Sequence, residues 1–475
     1  MLKRIIYPCL GAIILALAFS ACTPAIIQKS ENRNVPASFM NSQDTTNAAH
    51  INWKNFFVDP YLEALIDTAL MNNQELNIIL QEIEISRNEI RERKGEYLPF
   101  VHLRAGAGVE KPGRYTHQGA TDATTEFEPG KEMPEPLQDY LIGAFASWEV
   151  DIWHKLRNAR KSAVLKYLAT VEGKNFMVTH LIAEIAESYY ELLALDNQLD
   201  ILSKTIDIQE DALAIVKMQK AAARITELPV KKFEAEVLKN QSRRYYIMQQ
   251  ITEVENHIKF LVGRFPQPVM RDAKMFSHLA PEAISAGVPV QLLENRPDIR
   301  QAELELAAAK LDVKVAKANF YPSLGISAGI GLQAFDLTYL TKAPESMIYS
   351  LAGDLITPLV NRNAIKAMYY NANAKQIQAV YNFERTILSA YLEVANQLSK
   401  INNLEKSYDL KSREVQALTE SIAISNNLFK SARADYMEVL MTQRDALESR
   451  FELIETRKEQ MNAMVNVYQA LGGGW

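Results

Sequence analysis

The chain has 475 residues, 48% of them apolar and 23% charged, with only 18 Gly and 18 Pro. Those proportions are normal for a folded protein, and such sparse punctuation predicts long uninterrupted elements. A net charge of −5, with no basic run carrying interleaved aromatics, excludes nucleic acid as a partner.

Both cysteines, Cys9 and Cys22, fall in the first 22 residues. Lys3 and Arg4 open this segment, residues 5–19 are apolar, and it closes on "FSAC". A basic start, an apolar stretch and a small-residue end describe a secretory signal peptide. An N-terminal transmembrane anchor is the alternative. The apolar run is interrupted by Pro8 and Gly11 and falls short of the ~20 residues that a spanning helix needs. "FSAC" also resembles a bacterial lipobox, in which the cysteine is lipidated and heads the mature chain, although Phe19 departs from the aliphatic residue common there. On that reading residues 1–21 are the signal peptide, Cys22 carries lipid, and no free thiol remains, which suits an oxidising compartment. Such an anchor holds to a membrane without spanning it. Thr23, not Asp, follows the cysteine, which in this class of signal permits outer-membrane sorting.

Residues 22–52 are polar and read as a linker. "WKNFFVDPYLEALIDTALMNNQEL" then opens a first repeat, over residues 53–265. Pro60 suits a first helical turn, and Leu62, Leu65, Ile66, Ala69 and Leu70 recur at helical spacing, with the pattern running to about Glu96. After a strand block, helix is expected from about Lys155 to Gly263, broken near Pro229 in "AARITELPVKKF". The part before that break would be about 100 Å long at 1.5 Å per residue. A proline-rich connector, residues 266–296, leads to a second repeat over 297–472. Its helices are expected from Pro297 to about Asn319 and from about Asn363 to Ala470.

The halves echo each other. Pro99 and Pro322 lie 223 residues apart, Phe176 and Phe383 207, Ala223-Arg224 and Ala432-Arg433 209, and Leu261 and Leu471 210. Each half reads helix, strand, strand, long helix, shorter helix, an internal duplication.

Four strands are expected, at about 100–110, 140–150, 323–333 and 346–355. In the first, Val101, Leu103, Ala105, Ala107 and Val109 share one face, and His102, Arg104, Gly106 and Gly108 the other. In the third, Leu324, Ile326, Ala328, Ile330 and Leu332 oppose Ser323, Gly325, Ser327, Gly329 and Gly331. The second carries Ile142, Ala144, Ala146, Trp148 and Val150 on one face; the last alternates less cleanly. Runs near ten residues with one apolar and one small or polar face match transmembrane β-strands. Flanking Tyr97, Phe100, Tyr140, Trp148, Trp153, Phe320, Tyr321 and Tyr349 suit membrane interfaces. The polar segment between the first pair suits an external loop. A soluble amphipathic sheet covering a helix is the alternative. Four strands cannot close a barrel, and lipid tolerates no open sheet edge. A membrane reading therefore requires several chains to share one barrel, with their helices gathered about the same axis.

These features resemble the TolC-type outer-membrane efflux channels, over nearly the whole mature chain. "WKNFFVDPYLEALIDTALMNNQEL" is similar to that family's opening helix, and "SWEVDIWHKLRNAR" to its first strand-to-helix passage. "LLENRPDIRQAELELAAAK" is similar to its second-repeat opening, and "NLFKSARADYMEVLMTQRDAL" to the turn between its second pair of long helices. The resemblance implies a mainly α chain with a transmembrane β-barrel. It implies a homotrimer whose twelve strands form one barrel that continues into a periplasmic α-helical barrel. It further implies a passive exit duct, not an enzyme, working with a periplasmic adaptor and an inner-membrane pump. The lipobox and "RPDI" point to the lipid-anchored branch that serves RND pumps.

Charged side chains at the helix turns close the periplasmic end in this family. The resemblance therefore assigns Glu438 and Arg444 to a gate region, with Tyr436 in support and Arg224 and Glu227 as first-repeat counterparts. Met441 stands where related channels often carry a carboxylate, so an apolar constriction is the alternative there. Ordinary solvated charges at a helix turn remain the other reading of these residues. Neither turn carries the glycine common in the family.

Little else in the chain suggests chemistry. None of the seven histidines shares metal-ligand spacing with another, no phosphate-binding loop occurs, and Glu303 with Glu305 suits a solvated helix face. No metal and no cofactor are expected. A structural or adaptor-type periplasmic coiled-coil lipoprotein is the alternative function. It would explain the helices but not the paired strand blocks.

Overall fold

The structure, a computed structural model, describes residues 23–39, 46, 51–265, 267–279, 286–358, 360, 362–431 and 433–474. The expected signal peptide and Cys22 lie outside them. In chain order the main elements are α1 (Pro60–Asn72), α2 (Gln74–Tyr97), β1 (Phe100–Glu110), β2 (Leu137–Val150), α3 (Lys155–Ala221) and α4 (Glu227–Leu261). The second half supplies α5 (Pro297–Ala318), β3 (Ser323–Ala334), β4 (Met347–Ile356), α6 (Asn363–Lys430) and α7 (Tyr436–Ala470). Among the described residues no helix is long and apolar enough to cross a membrane.

The duplication holds in the elements themselves. Helices α4 and α7 start 209 residues apart and end 209 residues apart, while β1 and β3 start 223 apart. Leu261 therefore corresponds to Ala470, one residue before the Leu471 that the bare sequence suggests. Pro229 does not interrupt a helix. The break falls at residues 222–226, and Pro229 sits in the first turn of α4, where its missing N–H costs nothing. The opening helix is also divided. Asn73 stands between α1 and α2, its Oδ1 accepting from Leu76 N at 2.8 Å and its Nδ2 donating to Leu261 O at 2.9 Å. The polar loop after β1 is not structureless: it holds a short helix at His117–Asp122 and a small hairpin, Glu126–Glu128 with Lys131–Glu132.

The chain divides into two compact units. The first, whose described residues fall within 23–30, 84–168 and 304–381, contains one antiparallel sheet in the order β1-β2-β3-β4. Where β2 gives way to α3, Asp151 is buried. Its two carboxylate oxygens accept from Leu156 N and Arg157 N at 3.0 and 2.9 Å, satisfying orphan donors of a helix start. Trp153 stacks on Tyr321 and donates from Nε1 to Pro322 O at 2.7 Å. Trp148 donates to Tyr97 O at 3.1 Å. Two of the aromatics expected at an interface, Trp148 and Trp153, thus tie strand ends to helix ends.

The second unit, residues 31–83, 169–303 and 382–475, holds the largest apolar core. Leu62 and Ile66 of α1 pack there with Leu181, Ile185 and Leu192 of α3, Ile258 of α4 and Val465 of α7. Tyr189 is fully buried in it and donates to Asp59 Oδ2 at 2.7 Å, while Asp59 Oδ1 caps α1 at Tyr61 N. Burial, reinforced by the Asp59 carboxylate, raises the Tyr189 phenol well above its ordinary range.

Candidate functional site

The sheet register decides which residues share a face. Val101 pairs with Ala146, Leu103 with Ala144 and Ala105 with Ile142. Ile142 pairs onward with Leu332, Ala144 with Ile330 and Trp148 with Ile326. Leu324 pairs with Leu355, Ala328 with Leu351 and Ile330 with Tyr349. Directly opposed residues lie on the same face, so all four strands contribute to one apolar surface. That surface is bare: Leu103, Tyr349 and Leu351 are 86%, 84% and 80% exposed. A soluble sheet would bury such a face against a helix. Pairing also resolves β4, placing Tyr349, Leu351 and Leu355 on the apolar side.

The opposite face is mostly small or polar. Gly143 lies against Gly331, Phe145 against Gly329, Ser147 against Ser327, and Gly325 against Asp354. A Cβ on Gly331 would meet Ile142 O at 2.6 Å, so this close approach of two strands demands glycine. The long edges of β1 and β4 have no partner strand among the described residues.

At the other candidate location, two helix turns come together. Tyr436 and Leu440 of α7 pack in one cluster with Leu213 and Val216 of α3 and with Val230, Phe233 and Val237 of α4, flanked by Ile225. The α3–α4 turn is closed by hydrogen bonds from Ala223 N to Lys220 O and from Arg224 N to Gln219 O, with Ala223 in the left-handed region at φ 55°. This is the Schellman arrangement, which usually carries glycine. The second turn repeats the longer bond, Arg433 N to Leu428 O at 2.8 Å.

Each proposed gate residue has a definite place. Tyr436 joins the apolar cluster. Glu227 forms an ion pair with Lys220 across the turn. Among the described residues Arg444 reaches its neighbour Asp445, at 3.3 Å, with both side chains about half exposed. Met441 is 48% exposed. Arg224 and Glu438 are exposed and make no side-chain pair among the described residues. The structure brings Tyr436 to the first-repeat turn but does not join Glu438 to Arg444. Because the strained residue is Ala223, Ala223→Gly is expected to stabilise the protein slightly. Relief of about 1–2 kcal/mol of left-handed strain outweighs the added unfolded-state entropy. The thermal unfolding midpoint would rise by a degree or two; a fall would count against the assigned conformation.

Sequence reasoning missed a third feature. Arg296 of the "RPDI" string is buried at the start of α5. Its guanidinium holds Asp298 through two bonds of 3.0 and 2.7 Å, reaches Glu393 at 2.8 Å, and donates to Ala470 O at 2.8 Å. Arg296 and Asn73 are separated by the 223-residue offset, and their acceptors Ala470 and Leu261 by the 209-residue one. Both repeats therefore fasten the residue just ahead of the helix that leads into their first strand, α2 or α5, to the end of their last helix. The recurrence of those two offsets was the available signal. Among the described residues no group of His, Cys, Asp or Glu is placed to hold a metal ion.

An open sheet with one lipid-compatible and one lumen-compatible face, joined to duplicated helix pairs of 67 and 35 or 68 and 35 residues, defines a subunit of an outer-membrane channel. The comparisons agree. Residues 65–264 and 288–473 match the family model "Outer membrane efflux protein", and the chain belongs to that family. It is 27% identical over 423 residues to the pyoverdine export outer membrane protein OpmQ of Pseudomonas aeruginosa, spanning 89% of this chain and 87% of that one. It is 26% identical over 465 residues to the cation efflux system protein CusC of Escherichia coli, spanning 97% of each. The open-state MtrE channel of Neisseria gonorrhoeae superposes with a TM-score of 0.80 at 22% identity, over 95% of this chain and 98% of that one. The protein is an outer-membrane efflux channel of the TolC type, an exit duct from a family of transporters rather than enzymes. The coiled-coil lipoprotein alternative loses its support.

With the apolar face turned to lipid, Leu351→Arg is expected to cost about 2–4 kcal/mol near the bilayer midplane. Outer-membrane fractions should then hold much less folded protein. Undiminished folded protein would contradict the assignment of that face.

Proposed function

We propose that three copies of this chain form the duct, closing one twelve-stranded barrel above a helical tube. The observation that carries this reading is the four-stranded sheet with two unpaired edges and one bare apolar face. Lipid offers no partner for an open edge, and the smallest such barrels have about eight strands. Family membership supports work within a tripartite assembly, with a periplasmic adaptor and an inner-membrane pump of the RND type. The duct itself is passive. Its N-terminus is processed after residue 21 and acylated at Cys22, the 22–52 segment links that anchor to the first repeat, and the connector 266–296 separates repeats 53–265 and 297–472. The two segments that match the family model, 65–264 and 288–473, support two repeats, the second match beginning within that connector. Tyr436, Glu438, Met441, Arg444, Arg224 and Glu227 form the gate region, where exposed Met441 favours an apolar narrowing flanked by charge. Relatives are named for pyoverdine export and for cation efflux, so the cargo of this chain follows from its pump.

Native mass spectrometry of the detergent-extracted protein tests the assembly. A trimer carrying acyl mass is expected, with the acyl mass absent from Cys22→Ser. A monomer would overturn the shared barrel, and unmodified wild type would overturn the anchor.

A further inference from the structure

The lumen face is not uniformly small. On it β3 presents Gly325, Ser327, Gly329 and Gly331, and β4 presents Ser350, Ala352 and Asp354 between Ile348 and Ile356. The same face of β1 and β2 instead carries three rings side by side. Phe100 and His102 have centroids 5.8 Å apart, His102 and Phe145 6.0 Å, and each pair is tilted by only 27°. Phe145 lies down on glycine: a Cβ on Gly329 would come within 2.8 Å of its Cδ1, and one on Gly143 within 3.2 Å of its Cε2. Two glycines, one on its own strand and one on the next, thus give this ring room to lie flat against the wall.

Charge on this face is one-sided. Register places the carboxylates of Glu110, Asp139, Glu149 and Asp354 there against the single guanidinium of Arg104. Gln333 holds Asp139 at 2.8 Å and Lys155 holds Glu149 at 2.5 Å, whereas Asp354 has no partner among the described residues. A hollow of about 580 Å³ adjoins Phe100, lined in part by Ser147, Glu149, Gly325, Ser327 and Asp354.

We propose that the Phe100–His102–Phe145 strip, with Glu149 and Asp354 beyond its Phe100 end, is a contact site for planar aromatic cations passing through the barrel. Flat π-systems stack on exposed rings. The negative ring faces attract cations, and the uncompensated Asp354 complements the same charge. Arg104, which follows His102 on the same face of β1, stands at the other end of the strip. The site is shallow and open, as conduction demands, since a passing molecule must also leave. This inference rests on the channel reading, and in the trimer the strip repeats three times around one lumen.

The test is current block in a planar bilayer, with probes added from the outer side so that they reach the barrel first. Ethidium serves as the planar aromatic cation and tetrabutylammonium as the cation without rings. The readout is the ratio of their half-blocking concentrations, in the wild type and in Phe145→Leu and Phe100→Leu. Loss of a cation–π and stacking partner should raise that ratio at least about threefold in each variant. A ratio unchanged in both overturns the site, because a mere change of lumen width shifts both probes together. Should Phe145→Leu fail to assemble, Phe100→Leu decides, since Phe100 is 66% exposed. A wild-type trimer that conducts no ions would sink the channel reading itself, a result distinct from conduction with an unchanged ratio.

Discussion

Arg296→Met should destabilise the protein by about 3–5 kcal/mol, the cost of breaking a buried charge network from one side. The Arg296 side chain is 5% exposed and Asp298 19%. Removing the guanidinium leaves the Asp298 carboxylate with little water and withdraws a donor from Ala470 O. Glu393 is 48% exposed and contributes less, because solvent already screens it. Arg296→Lys keeps the charge but not the fork, so it should fall between wild type and Arg296→Met. Asp298→Asn placed on top of Arg296→Met should add little, as expected for partners in one network. Thermal melts of the detergent-solubilised protein would read these differences. A melting point for Arg296→Met close to that of wild type would falsify the clamp.

The second large effect is expected at two glycines that close the repeats. Gly263 and Gly472 have φ of +71° and +88°, conformations that L side chains rarely adopt. Each also touches backbone. A Cβ on Gly263 would lie 2.4 Å from Asn72 O, and one on Gly472 2.6 Å from Asn295 O. Left-handed strain of about 1–2 kcal/mol adds to a clash that no side-chain rotation relieves. Gly263→Ala and Gly472→Ala should therefore each cost about 3 kcal/mol, more than a typical surface substitution. Gly106 provides the contrast, since nothing lies within 4 Å of the Cβ it would gain. Gly106→Ala should be near neutral in the same melts. Equal losses at Gly106 and Gly472 would show that the effect is generic to glycine removal and not local to the turn.

These two sites show where sequence reading stops. The duplication, the four strands and the long helices were legible because each rests on periodicity or recurrence: alternation for strands, 3.6-residue spacing for helices, and repeated landmarks. Pro229 was legible as punctuation, yet its position in the first turn of α4 was not, because a proline marks a helix start as readily as an interruption. The division at Asn73 left no periodic trace. It depends on a hydrogen bond to Leu261, nearly two hundred residues away. "RPDI" was visible as a string, but its meaning lies in Glu393 and Ala470, which no local pattern connects to it.

The gate residues divide in the same way. Their position at a helix turn follows from the chain. Their partners do not: Glu227 turns to Lys220, Tyr436 joins an apolar cluster, and Glu438 and Arg444 stay apart.

By itself the sequence determined that this protein is a duplicated, mainly helical chain with four amphipathic strands, because such patterns depend only on neighbours along the chain. It determined too that four strands would not suffice, because barrel closure is a matter of counting. Only the tertiary structure decided which strand faces coincide, because register sets the face of every residue in β4. Only it decided that Phe145 lies flat on Gly143 and Gly329, and that Arg296 in one repeat does the work of Asn73 in the other. Those are contacts between residues far apart in sequence, and packing alone selects them.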